Sequence, residues 1–198
     1  MTANRARCKS AMNQTVLLAI GANLPEPAGA SKLAACERGL RAIATLPYLH
    51  GATRSRWYSS APIPASGQPR YINGIVRVEG DVTPQKLLAD LQAIEAAAGR
   101  VRGKPNAARV LDLDIIDMGG LVRAAPDPIL PHPRAHLRAF VLLPLRDVAP
   151  DWVHPVLRQP IAALIAALIA ALPPQDIFPV VGCQLSVVRR YGALGAAD

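Results

Sequence analysis

The chain has 198 residues, 51% of them hydrophobic and only 4% aromatic, with 22 Lys+Arg against 14 Asp+Glu and a formal net charge of +8. That length suits one domain with or without a tail, and that hydrophobic content excludes a disordered chain. The Arg residues are dispersed and not interleaved with aromatics, which argues against a nucleic-acid surface and leaves membrane surfaces and small anionic ligands among the partners of a basic chain.

The opening "MTANRARCKSAMNQ" is basic and lacks the apolar core of a signal peptide, so residues 1–14 read as a flexible tail. "TVLLAIG" (15–21) reads as a buried strand. "SKLAACERGLRAIATL" (31–46) reads as a helix capped by Ser31, with Leu33, Cys36, Leu40 and Ile43 on one stripe. "GATRSRWYSSAPI" (51–63) starts as a strand and runs into a Pro- and Gly-marked loop. "YINGIVRVEG" (71–80) alternates as a strand should. Thr83 then caps a helix over 84–99 that ends at Gly99.

A polar loop leads to a strand over 108–117. "DMGGLV" (117–122) reads as a turn and a short strand, and 126–136 is too proline-rich for either regular element. Residues 137–150 read as a short helix interrupted near Pro144. "IAALIAALIAAL" (161–172) is an apolar repeat of period four, too short to span a membrane as a helix. The tail "QLSVVRRYGALGAAD" has room for an edge strand. The order β-α-β-β-α-β predicts an α+β, ferredoxin-like split βαβ antiparallel sheet with packed helices. Three scattered cysteines (Cys8, Cys36, Cys183) without CxxC argue against disulfides and zinc and for a reducing cytoplasm.

"ARVLDLDIID" (108–117) sets Asp112 and Asp114 inside an apolar run. In a strand, Leu111, Leu113 and Ile115 line one face and both carboxylates the other. Carboxylates two apart lie roughly 7 Å from each other and repel by about 2 kcal/mol at an effective dielectric near 20. Protonation, a bound cation or open water would relieve this. Arg100, Arg102, Lys104 and Arg109 lie just upstream, and His132, Arg134, His136 and Arg138 downstream. Two readings stay open: plain ion pairs to Arg109 and Arg138, or a Mg²⁺ site in which metal and Arg together hold a polyphosphate. No GxxxxGK[ST] phosphate loop occurs, and no GxSxG.

Five motifs stand in order: "AIGANL" (19–24), "QPRYINGIV" (68–76), "LQAIEAAAGRVR" (91–102), "RVLDLDII" (109–116) and "LPHPRAHLRAFVLLPLRDVAPDW" (130–152). Together they resemble the 6-hydroxymethyl-7,8-dihydropterin pyrophosphokinase family of folate biosynthesis. The resemblance implies transfer of pyrophosphate from ATP to the pterin alcohol, with ATP as co-substrate and two Mg²⁺ ions. It implies that Asp112 and Asp114 hold the metals and are catalytic together with Arg100 and Arg109. Arg100, Arg102, Arg109, His132 and Arg138 would contact ATP phosphates, and Gln92 and Glu95 would shape the nucleotide region. Tyr71 and Phe140 would sandwich the pterin, Asn73 would bond its edge, and Ser60, Ala61 and Pro62 would line its loop. Asn23 would brace the site.

The resemblance covers a core domain over 15–155; 156–198 exceeds the compact family pattern and is expected as an extension packed on that domain. It implies no nucleic-acid or membrane partner, and a monomer or weak homodimer in the cytoplasm. One departure stands out: relatives carry R-W-G-P-R before the Asp motif, whereas this chain has "KPNAAR", with Asn106 about where Trp would be. The 100–108 loop is expected to close over ATP with weakened grip on the pterin.

Overall fold

Runs of apolar residues with a period of two build the centre of the molecule. The computed structural model describes residues 13–25, 29–100, 108–171, 175–180 and 186–187. The three long central strands are β1 (Gln14–Ala22), β4 (Tyr71–Gly80) and β5 (Asp112–Met118). Between β1 and β4 come α1 (Lys32–Ala44), β2 (Leu49–Arg54) and the short β3 (Tyr58–Ser60). Helix α2 (Pro84–Ala97) joins β4 to β5. A 3-10 turn at Ala135–Leu137 leads into α3 (Ala139–Val148), followed by α4 (Ile161–Ala171), β6 (Ile177–Pro179) and β7 (Ser186–Val187).

The sheet order is β5-β1-β4-β2-β7, with β3 paired to β4 and to β6. Every pairing is antiparallel. The β5-β1-β4-β2 order is the ferredoxin-like split βαβ expected from the sequence. Each of the first two helices starts on the hydroxyl predicted for it. Ser31 accepts from Ala34 N–H at 3.2 Å, and Thr83 from Lys86 N–H at 3.3 Å with Pro84 following.

The sheet lies between two helical layers. On one face, Cys36, Leu40 and Ile43 of α1 and Leu87 and Leu91 of α2 cover Leu18, Val76 and Leu113. On the other, Val141, Leu142 and Leu145 of α3, with Ile161, Leu164 and Ile165 of α4, cover Leu17, Ile75 and Ile116. Leu111, Leu113 and Ile115 do share the α1/α2 face. The strict alternation of β5 breaks at a bulge opposite Leu17/Leu18. Ile116 and Asp117 both face the α3/α4 layer there, where Asp117 Oδ2 accepts from the buried Trp152 Nε1 at 2.9 Å.

Two local expectations fail. No strand follows the Gly119–Gly120 turn; an isolated bridge pairs Arg123 with Leu130 instead, because the proline-rich 125–131 segment cannot supply a ladder. Nor does Pro144 interrupt α3. It removes one hydrogen bond in the middle of the helix, and burial of its ring offsets that loss. β6 was not foreseen; the edge strand read in the tail is β7. No helix among the described residues is long and apolar enough to cross a membrane.

Gly74 is the tightest point of the sheet. A Cβ there would lie 2.5 Å from the ring of the fully buried Trp57, whose Nε1 is fixed by Glu37 Oε1 at 2.7 Å. Gly74→Ala is therefore expected to destabilise the fold by about 1–3 kcal/mol, the scale of overpacking. Chemical denaturation would read this as a lowered midpoint. An unchanged midpoint would mean the Trp57 ring moves aside freely.

Candidate active site

The site forms where the α3-facing side of the sheet turns from apolar to polar along three strands. Leu17, Ile75 and Ile116 belong to the α3/α4 core. Two and four residues further toward the same end come Ala19 and Gly21 on β1, Asn73 and Tyr71 on β4, and Asp114 and Asp112 on β5. The register sets Gly21 between Asp112 and Asn73, and Ala19 between Asp114 and Ile75. These small β1 residues are the floor of a cavity of about 150 Å³. A larger residue at position 21 would fill the space between the carboxylate and the amide.

The Asp pair carries the strongest electrostatics. Asp112 Oδ2 pairs with Arg109 Nη1 at 2.5 Å, and Asp112 Oδ1 lies 2.8 Å from Arg100 Nη1. The second contact is an ion pair of poor hydrogen-bond geometry, so Asp112 Oδ1 is buried and accepts no hydrogen bond. Burial and then the neighbouring Asp112 push the Asp114 carboxyl up to about 6, while Arg109, Arg138 and Arg100 oppose the rise. Glu95 is buried beside them on α2. It accepts from Leu113 N–H at 2.7 Å and pairs with Arg100. Burial raises the Glu95 carboxyl, and the Leu113 N–H and Arg100 oppose that rise.

His132 and Arg138 line the same cavity from the opposite layer. Burial, then Arg138 and Arg134, pushes the His132 imidazole down to about 4. It is neutral at pH 7. Its Nδ1 accepts from Arg134 N–H at 3.1 Å, so Nε2 carries the proton and is a donor.

Two aromatic rings and a mix of short polar and apolar side chains complete the cavity. Tyr71, Phe140, Ser60, Ala61, Pro62 and Asn73 all line it. Asn73 Nδ2 donates to Ser60 Oγ at 2.9 Å, which leaves the Asn73 carbonyl oxygen as the amide's acceptor end. The Arg138 guanidinium stacks 5.3 Å from the Phe140 ring centroid.

Asn23 ties the two ends together. Its Oδ1 accepts from Arg109 N–H at 2.7 Å, and its Nδ2 donates to Gln68 Oε1 at 2.9 Å. Gln68 Oε1 also accepts from Tyr71 Oη at 3.1 Å. One buried amide thus connects the strand before Asp112 to the loop before Tyr71. Asn23 was read as a brace, but Gln68 was missed. Its one signal is its place at the head of the "QPRYINGIV" motif, and only the fold brings it to Asn23. Gln92, one turn before Glu95, is half-buried and not on the cavity wall. Arg102, Lys104 and Asn106 lie outside the described residues.

Residues 17–150 match the model of the 7,8-dihydro-6-hydroxymethylpterin-pyrophosphokinase (HPPK) family. The chain belongs to the HPPK family. It is 39% identical over 166 residues to the 2-amino-4-hydroxy-6-hydroxymethyldihydropteridine pyrophosphokinase of Pseudomonas aeruginosa, covering 84% of this chain and 96% of that one. The enzyme of that name from Haemophilus influenzae is 38% identical over 141 residues, 71% of this chain and 85% of its own. In fold, the chain is similar to the HPPK-DHPS of Plasmodium falciparum, with a TM-score of 0.66 at 13% identity over 91% of this chain. It spans about half of that longer chain, 51%. The ferredoxin-like α+β architecture is therefore that of solved HPPK structures, and the polar end of its sheet is where this family member gathers its charged side chains.

The geometry makes a titration measurable. Asp112→Asn removes the like charge and frees Arg109 and Arg100, so the Asp114 pKa should fall from about 6 toward the ordinary carboxylate value. Carboxyl NMR titration of the metal-free protein checks this; an unmoved Asp114 would mean that burial alone sets it. For this group alone the linkage sign is definite. Its folded pKa lies above the unfolded value, so it supports the fold below about pH 4. That support is lost as pH rises through about 6.

Proposed function

We propose that this cavity is where the chain carries out the reaction of its family: pyrophosphoryl transfer from ATP to the hydroxymethyl group of 6-hydroxymethyl-7,8-dihydropterin, with AMP released, in folate biosynthesis. One observation carries the reading. A paired-carboxylate edge ringed by Arg100, Arg109, Arg138 and a neutral His132 opens directly onto a flat compartment walled by Tyr71, Phe140 and Asn73. The first half suits polyphosphate and the second a planar heterocycle.

The residues fit two Mg²⁺ ions. Asp112 Oδ1 is buried without a hydrogen bond, and Asp114 is destabilised by its neighbour. Mg²⁺ keeps several waters and needs only one or two carboxylates from the protein. Asp112 and Asp114 would hold the metals, whose charge, when bound, would neutralise the phosphate oxygens.

In the ligand-free arrangement Arg100 and Arg109 neutralise Asp112. With nucleotide present they turn to phosphate oxygens, so the charge of the site stays balanced in both states. His132 donates its Nε2–H, and Arg138 its guanidinium, to the phosphates from the α3 side. Tyr71 and Phe140 hold the pterin between rings, and the free oxygen of Asn73 accepts from a ring N–H. Ser60, Ala61 and Pro62 close the pterin end. Attack by the hydroxyl on the β-phosphorus then needs mainly position and charge stabilisation. Glu95 fixes Arg100 and the Leu113 backbone between the two carboxylates.

Chemistry between two small substrates asks for no macromolecular partner, so a monomer or weak homodimer suffices. The buried free thiol of Cys36 fits a reducing, cytoplasmic setting. For a core over 15–155 with an extension packed on it, the described part of 156–198 offers α4 on α3 and β6 on β3 as support.

Purified protein given ATP, Mg²⁺ and the pterin alcohol should form AMP only when the pterin is present, and EDTA should abolish it. ADP as product would sink the reading. Asp112→Ala or Asp114→Ala should each lower kcat on the order of 10²–10³-fold, the scale of losing one preorganised electrostatic group, with the circular-dichroism spectrum unchanged. Near-full activity in both would remove the metal role. Because Asp114 titrates up to about 6 without metal, Mg²⁺ must displace a proton at low pH. The Mg²⁺ concentration for half-maximal rate should therefore rise as pH falls through that value; a flat profile would place the metal elsewhere.

A further inference from the structure

The first turn of α3 carries both Arg138 and Phe140, yet nothing within it supplies a cap. Arg138 occupies the N-cap position in an extended conformation and makes no side-chain cap hydrogen bond. The N–H groups of a first helical turn need an acceptor from elsewhere. For Ala139 that acceptor is Gln175 Oε1, at 2.9 Å. The same amide donates through Nε2 to Leu137 O at 3.3 Å. Gln175 therefore clasps the backbone on both sides of Arg138.

The next residue reaches the other wall of the pterin compartment. Asp176 O accepts from Ala61 N–H at 2.9 Å. Its carboxylate takes the Arg70 guanidinium, with Nη2 to Oδ1 at 3.1 Å, and Arg70 Nε donates to Ser59 Oγ at 3.0 Å. β6 then pairs Ile177 with Ser60 and Phe178 with Ser59. Two consecutive residues thus hold the start of α3 and the Ser60–Ala61 wall at a set separation. Both lie beyond the 17–150 span that matches the family, and neither lines the cavity.

We propose that Gln175 is a positioning residue for the pterin: through Ala139 and Leu137 it sets the place of the Phe140 ring opposite the 60–62 wall. This rests on the pterin reading of that compartment. The ring follows the backbone through only two side-chain torsions, whereas Arg138 has a long stem that re-reaches phosphate after a small shift. The effect should therefore fall on the pterin and spare the nucleotide.

The test uses the full chain with Gln175→Met, which keeps the volume and removes both hydrogen-bonding ends, and Gln175→Glu, which keeps an acceptor at a helix N-terminus. Gln175→Met should raise the pterin KM about fivefold, the scale of losing one cap. The ATP KM should stay within about twofold, and the thermal midpoint should fall by no more than about 2–4 °C, the scale of one lost cap in a chain of this size. Gln175→Glu should bring the pterin KM back to within about twofold, because the charged acceptor retains the cap. The inference is overturned if Gln175→Met leaves the pterin KM unmoved, or if Gln175→Glu is as impaired as Gln175→Met. A joint rise of both KM values with a lowered midpoint, the mark of a merely structural contact, also overturns it. A parent protein that makes no pterin-dependent AMP would overturn the functional reading and this inference with it; a working parent matched by its Met variant would overturn the inference alone.

Discussion

The repulsion between Asp112 and Asp114 is the constraint around which this end of the molecule is organised. β5 holds both carboxylates on the face it turns to α3, where apolar packing continues only as far as Ile116. The charges survive because three cationic groups surround them and because Arg109 and Arg100 meet Asp112 directly. The compensation is incomplete, as the raised Asp114 carboxyl and the orphaned Asp112 Oδ1 show. Carboxylates pushed this far from their ordinary range cluster at functional sites.

The rest of the architecture serves to hold that edge still. Glu95 is buried under β5, fixing the Leu113 amide on one side and Arg100 on the other. The bulge at Ile116–Asp117 lets β5 anchor to Trp152 in the α3/α4 layer while its first residues stay free for chemistry. Asn23 locks Arg109 to Gln68 and thereby to Tyr71. At the far end of α3, Asp147 receives Arg56 Nε at 3.0 Å and Tyr58 Oη at 3.1 Å, so the helix bearing Phe140 is tied to the β3 ribbon there too. The charged end of the cavity and the end walled by Tyr71 and Phe140 are thus mechanically linked through the sheet.

Much of this was legible in the chain itself. Short apolar, β-branched runs located β1 and β5, period-two alternation located β4, and the capping residues Ser31 and Thr83 located the starts of α1 and α2, because these signals act over a few residues and need no tertiary partner. The facing of Asp112 and Asp114 follows from the pleat alone. The resemblance of five ordered motifs pointed to the family and to Tyr71, Asn73, Phe140, His132 and Arg138, all of which line one cavity. The proline rule misled at Pro144, since a single hydrogen bond lost in the middle of the helix is outweighed by burying the ring.

What the sequence by itself determined was local: which segments alternate, where helices begin, and which charges must share a face. Only the tertiary structure decided which of those charges meet. That Asp112 takes Arg109 and Arg100, that Gln68 reaches Asn23 across 45 positions, and that Gln175 caps a helix 36 residues earlier are outcomes of chain crossing. A long-range hydrogen bond leaves no periodic trace, because its two ends are chosen by the packing of whole strands and helices and not by their neighbours in sequence.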